Sequence, residues 1–179
     1  NMSLRTILSI FASLGLLVGV CLNAQELGKS KQTPDVRNSA GPNYTNLSQG
    51  RSANAATRLA GKIYVVGGYS KDFLGSVDAL DIRSGEWTRK KELLVPRCFH
   101  AVVPVSGRLY VFGGLSEETN SIAVEVFDSQ QNSWSQVTTL PRARNRLDAV
   151  ALGSKIYLIS GIGDKKLRDT HDLSAVDIY

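Results

Sequence analysis

The chain has 179 residues, 42 % hydrophobic and 21 % charged, with a formal net charge of +5. That balance suits one globular domain of ordinary size and excludes a disordered or low-complexity chain. The basic residues are scattered apart from short clusters such as Arg89-Lys90-Lys91 and Lys165-Lys166, with no interleaved aromatics, so these read as solvated loop or edge positions and not as a nucleic-acid surface.

The first segment reads as a leader. Arg5 precedes an uncharged run, TILSIFASLGLLVGVCL, over residues 6–22, and small Ala24 stands before the polar stretch QELGKSKQ. A basic start, an apolar run and a small-residue cleavage site make up a secretory signal peptide over 1–24, with cleavage after Ala24. The run is slightly short for a membrane span, so an uncleaved anchor is the alternative and no membrane partner is expected after cleavage. The expected compartment is secreted or periplasmic. Cleavage removes Cys21 and leaves Cys98 alone, which rules out an internal disulfide and points to a buried, inert thiol. Asn1 stands ahead of the chain's only methionine, as in a translated reading frame or a partial gene.

Residues 25–46 are polar, carry Gly28, Pro34, Gly41 and Pro42, and sustain no period, which predicts a linker. Two glycosylation sequons, Asn43-Tyr44-Thr45 and Asn46-Leu47-Ser48, lie at its end and matter only in a eukaryotic host.

From there the chain repeats itself. KIYVVGG at 62–68 returns as RLYVFGG at 108–114 and as KIYLISG at 155–161. Trp87 and Trp134 are 47 apart, as are Asp81 and Asp128, and Arg51, Arg97 and Arg144 each stand 16 residues before the first member of their Gly-Gly or Ser-Gly pair. Several landmarks sharing one period of 46 to 47 mark a repeat architecture.

Each copy reads as four strands. In the second copy, HAVVPV turns through Ser106-Gly107 into GRLYVFGG, followed by SIAVEVFD and SWSQVTTL. Val, Ile, Tyr, Phe and Thr dominate these runs, and turn residues separate them. Leu109 to Phe112 is apolar at every position, so both faces of that strand must be covered. Gly85 and Asn132 align in the turn before each tryptophan, and both residue types tolerate the left-handed conformation. Trp87 and Trp134 are expected to be buried at equivalent sites between sheets.

Four-stranded units of this period describe a β-propeller. The glycine pair, the hydrophobic strand ending in Asp, the tryptophan six residues later and Pro96-Arg97…His100-Ala101 resemble the kelch repeat. Copy one has Asn54 in the His100 place, and copy three departs further, with Ser160 for the first glycine and Asp148 taken as the counterpart of His100. The fold class is therefore all-β, a kelch-type β-propeller with about two full four-stranded blades over 51–94 and 97–140 and an incomplete third over 144–179, within a propeller region 47–179. Tyr179 aligns with Phe127, so the third unit stops before its fourth strand, and an unclosed propeller would allow self-association.

No catalytic constellation stands out. His100 and His171 lie in different contexts, no group has metal-ligand spacing, and no cofactor is expected. The charged loop GDKKLRDTHD at 163–172 reads as solvated. The recurring Arg51, Arg97 and Arg144 are read first as scaffold pairing at each blade's start. As a ring of guanidiniums they are also the candidate ligand-binding residues, since arginine takes anions bidentately. The resemblance implies a non-catalytic binding module that presents blade loops to a protein or carbohydrate ligand. The alternative is a carbohydrate-active propeller enzyme such as a sialic acid mutarotase. A copper oxidase of this architecture needs more histidines than the two present.

Overall fold

The computed structural model describes residues 44–117, 119–163 and 176–179. The expected leader over 1–24, the linker over 25–46 apart from its last residues, and His171 with most of its charged loop lie outside the described residues.

The described chain is built of antiparallel sheets. The first contains β1 (Ala55–Leu59), β2 (Lys62–Val66), β3 (Val77–Asp81) and β4 (Trp87–Lys90), in that order. The second contains β5 (Ala101–Val105), β6 (Arg108–Phe112), β9 (Ala123–Asp128) and β10 (Ser133–Thr139), with a small hairpin of β7 (Leu115–Ser116) and β8 (Thr119–Asn120) inserted between β6 and β9. The third has three strands, β12 (Asp148–Leu152), β13 (Lys155–Ile159) and β15 (Val176–Ile178). A two-residue pair, β11 (Arg144–Asn145) with β14 (Ile162–Gly163), lies at its start. These sheets are the blades of a β-propeller, as the repeat implies.

Local chemistry explains the turns. Ala60-Gly61 and Ser106-Gly107 have φ of 48° and 76° and of 48° and 78°, the paired left-handed residues of a two-residue hairpin that matches the twist of its strands. Gly85 and Asn132 have φ of 78° and 49°, so their interchange does report a left-handed turn position. The periodic aspartates close the same turns. Asp81 Oδ1 accepts from the amides of Arg83 and Ser84, and Asp128 Oδ1 accepts from those of Gln130 and Gln131. Lys62 adds a 2.6 Å bond to Asp81, and together these donors hold that carboxyl at about 2, well below its ordinary value.

The apolar core lies between blades. Tyr64, Val66, Val77 and Ala79 of the first sheet meet Leu109, Val111, Phe127 and Trp134 of the second. The other face of the second sheet, with Val103, Phe112 and Val124, packs on Ile156 and Leu158 of the third. That is why β6 and β9, the middle strands of the second sheet, are almost wholly apolar: they face a neighbouring sheet on both sides. β5 stands against both β1 and β12, so the first strands form the inner edge from which the blades fan out.

The tryptophans differ from expectation. Both indole N–H groups donate over 2.8 Å to a carbonyl of the segment that leads into the blade, Trp87 to Thr45 and Trp134 to Lys91. Their sites are equivalent in the repeat, yet only Trp134 is buried, while Trp87 is half-exposed on the face of the first sheet turned away from the second. Burial here depends on a neighbouring blade, which Trp134 has and Trp87 does not among the described residues. The third sheet shows the same effect at its outer face. Leu152 is 70 % exposed and Ile159 40 %, whereas Phe112, the counterpart of Ile159, is 0 % exposed under the third sheet. Trp134→Ala is expected to lower stability by about 3–5 kcal/mol, as for a large buried aromatic. Trp87→Ala should lower it clearly less, and chemical denaturation of the two variants side by side checks the order.

Candidate functional site at the loop end of the blades

The two ends of each blade are built differently. One end carries only the tight turns described above. The other carries the connections from the second to the third strand and the links from one blade to the next, and it begins with the residues singled out by the repeat.

The three arginines are the anchors of that end. Arg51, Arg97 and Arg144 each reach a carboxylate in the middle of a third strand: Asp78 at 2.6 Å, Glu125 and Asp177. Their Nη1 groups donate to backbone carbonyls, Arg51 to Gly67 and Ser76, Arg97 to Gly113 and Ala123, and Arg144 to Ser160. The guanidiniums are thus turned into the blade, with side-chain exposures of 1 %, 0 % and 0 %. Burial pushes the Arg97 guanidinium below its ordinary value, and the attraction of Glu125 works against that shift. A buried charge is tolerated because it is paired and bonded. Glu125 also accepts from the amides of Leu94 and Val95 in the link from the previous blade, so the pair ties two blades together. Asp78 is one methylene shorter and takes Arg89 instead, at 3.0 Å. Beside Asp177 the equivalent link begins at Pro141, which has no amide hydrogen to give, and Arg142 stands 3.8 Å away.

Sequence reasoning found the arginines and missed their partners. The signal was present: an acidic residue follows valine inside each apolar third strand, at Val77-Asp78, Val124-Glu125 and Val176-Asp177. A charge in a strand covered on both faces requires a partner of opposite sign.

The glycine pairs fill the next layer. The amides of Gly68 and Gly114 donate to the carbonyls of Arg97 and Arg144, the arginines of the following blades, at 2.9 and 2.8 Å. A Cβ on Gly67 would stand 2.6 Å from the Arg97 carbonyl oxygen, and one on Gly113 would collide with that of Arg144. The glycines are therefore needed where one blade's backbone lies on the next. Ser160, at the matching place in the third sheet, is exposed and meets no such neighbour among the described residues.

One register assignment is corrected. Gly68, Gly114 and Gly161 lie against Asn54, His100 and Leu147 respectively, so Leu147 takes the His100 place. Asp148 begins β12 one residue later and is exposed, because the register follows the arginine, three residues ahead of each of these side chains. His100 is buried between Gly67 and Gly114, and neither ring nitrogen has a well-formed hydrogen bond among the described residues. Burial, then the nearby Arg97 charge, pushes its pKa down to about 3, which the Val66 carbonyl only tempers. The imidazole is a neutral core group and holds no position of a general base. Cys98 is buried beside it in sequence, and burial pushes its thiol up, as an inert thiol requires. Among the described residues no three His, Cys, Asp or Glu side chains gather as a metal site.

The accessible part of this end lies around the anchors. Tyr69, Leu115 and Ile162 follow the glycine pairs and bridge back to Ser52, Cys98 and Asn145. Tyr69 is exposed and packs edge-to-face on Phe73, with centroids 5.4 Å apart. The Arg146 guanidinium lies over the Phe99 ring, 4.6 Å from its centroid. Asn145 donates to Asn120 Oδ1 over 2.6 Å, and Asn120 donates to the Ile162 carbonyl over 3.2 Å, joining the second blade's inserted hairpin to the third blade.

The repeat finds its match among known proteins. The model of the KLHDC2/KLHL20/DRC7 Kelch-repeats domain matches residues 35–178. The chain belongs to the kelch-repeat family. It is 28 % identical over 146 residues to Kelch repeat and BTB domain-containing protein 12 of Danio rerio, covering 72 % of this chain and 23 % of that protein. To Kelch-like protein 23 of Homo sapiens it is 30 % identical over 123 residues, covering 67 % of this chain and 21 % of that protein. To alpha-scruin of Limulus polyphemus it is 29 % identical over 125 residues, covering 65 % of this chain and 14 % of that protein. The kelch chain spans less than a quarter of the length of these relatives.

Two outcomes follow from the kelch anchors. Arg97→Met is expected to lower stability by about 3–5 kcal/mol, because it leaves Glu125 buried without its cation. Arg97→Met with Glu125→Leu should recover much of that loss, as a denaturation midpoint series shows. His100 works through pH. The unfolded chain takes a proton near 6.5 and the folded chain only near 3, so stability is full above pH 6.5 and falls as pH drops from there toward 3. The slope from this group approaches about 1.4 kcal/mol per pH unit. His100→Leu, the residue type of the third blade, should flatten it in midpoints measured from pH 7 to pH 4.

Proposed function

We propose that this kelch chain is an exported binding module that holds a protein ligand at the loop end of its blades. The observation that carries the reading is exposed Tyr69 packed on half-buried Phe73, with the Arg146–Phe99 stack at the same end of the blades, where the anchors hold the backbone. Aromatic side chains and arginine are the residue types that concentrate binding energy at protein interfaces. A rigid scaffold with dissimilar loops at one end suits recognition. The second-to-third-strand connection is a bridged loop with Tyr69 and Phe73 in the first blade and a β-hairpin in the second, while the turns at the opposite end repeat closely. The kelch repeats of Kelch-like protein 23 and alpha-scruin place the same scaffold in larger proteins.

Export rests on the leader-like segment ending at Ala24. Amino-terminal sequencing of the protein recovered outside the cytoplasm should begin at Gln25. A start at Met2 in the membrane fraction would replace export by anchoring.

The binding reading is tested on the full-length protein by cross-linking in its own compartment and identification of the captured chain. The Tyr69→Ala, Phe73→Ala double variant should lower recovery of that chain about ten-fold, the loss of a modest hot spot. Arg83→Ala, at the opposite end, should leave recovery unchanged. Equal capture by both variants, or binding to arrayed oligosaccharides in place of protein, would overturn the proposal.

A further inference from the structure

β10 is the outer strand of the second blade and pairs only with β9 among the described residues. The amides and carbonyls along its other side therefore have no strand beside them there. At seven residues it is the longest of the described strands, against four in β4 and three in β15, which lie at the outer edges of the first and third sheets. Residues 135–139 are all exposed, Val137 by 53 %.

An open edge of that length is a template for another chain, and proteins guard against it with short edge strands and charged side chains. The first blade uses both devices. Residues 82–94 carry Arg83, Glu86, Arg89, Lys90, Lys91 and Glu92, and β4 within them is short. Residues 129–141 stand 47 positions later in the repeat and hold no charged residue, in a chain that is 21 % charged. Gln136, Val137 and Thr138 take the places of Arg89, Lys90 and Lys91. One guard remains. The ladder to β9 slips between Gln136 and Thr138, so Val137 has no residue opposite. Such a bulge raises the local twist, and a flat strand follows it poorly.

We infer that β10 is a self-association edge: two copies of this chain pair antiparallel along it, about a two-fold axis at mid-strand, and join their second blades into one sheet. The charge pattern selects the occupant. In an isologous pair the residues at the axis meet their own copies. A charged edge would repel itself there, as like charges directly opposite do. Two chains of net charge +5 approach most easily where neither carries a charge. A second copy also brings the same twist to the same place, which an unrelated strand does not. Serine, threonine and glutamine side chains then face each other across the new pair and can hydrogen-bond. This inference does not rest on the protein-binding reading above.

The test is the mass of the full-length protein in solution, followed by sedimentation velocity over a micromolar dilution series. The parent should be a dimer that dissociates on dilution. Val137→Lys combined with Thr138→Lys should raise the dissociation constant about ten-fold or more, because like charges then face each other across the axis. The first blade already carries lysine at both matching positions, so this variant should keep the parent's Tm. Added salt should restore part of the variant's dimer by screening the introduced charges. Contact at the edge itself is read by cysteine cross-linking. Gln136→Cys should give a covalent dimer under mild oxidation, and Ser84→Cys, in an exposed turn of the first blade, should not. A monomeric parent would overturn the inference. So would a dimer that the lysines leave intact, or one that Gln136→Cys fails to cross-link while Ser84→Cys does, since the contact would then lie on another surface.

Discussion

The blades depend on a buried ion pair between the start of each unit and its third strand. Arg97 and Glu125 show it in full: the guanidinium bonds two backbone carbonyls and the carboxylate, and the carboxylate takes two amides from the link behind it. One interaction therefore joins the beginning of a blade, the ends of two of its strands and the connection from its neighbour. In a strand covered on both faces no water is at hand to compensate either charge, so the geometry of the pair decides whether it stabilises. For buried ion pairs in general, replacing the whole pair by apolar groups is far less harmful than breaking it. Its value lies in the register it imposes as much as in its energy.

The glycine pairs are a consequence of that register. Once Arg97 and Arg144 are drawn inward, their carbonyls lie on the α-carbons of Gly67 and Gly113 and accept from the amides of Gly68 and Gly114. A Cβ on the first glycine of each pair would press on the next blade, and one on the second would press on its own blade's first strand segment. Ser160 is admitted where, among the described residues, no following backbone presses on it. The tryptophans obey the same logic: the indole bond to the preceding link is common to both, and the degree of burial is set by what stands opposite.

These constraints are concentrated at one end, and the proposed binding site gathers around them. The anchors immobilise the backbone at the loop end, so side chains next to them are presented without the entropic loss that a mobile loop would suffer on binding. Tyr69 with Phe73, and Arg146 on Phe99, occupy that position. His100, the residue that most invites a catalytic reading, is a neutral group wedged between glycines. The chemistry proposed for this end is recognition.

The sequence by itself determined the period, the strands, the hairpin turns and the places of the glycines. Each rests on a local backbone requirement or on apolar runs that need cover, and both are written in adjacent residues. Gly85 facing Asn132 was readable as a left-handed turn because only a few residue types accept one. The tertiary structure alone decided which way the arginines point, that Leu147 and not Asp148 matches His100, and that Trp87 is less covered than Trp134. Each of these depends on a group a whole blade or a third strand away. Burial and pairing belong to two surfaces at once, and a linear pattern states only one of them.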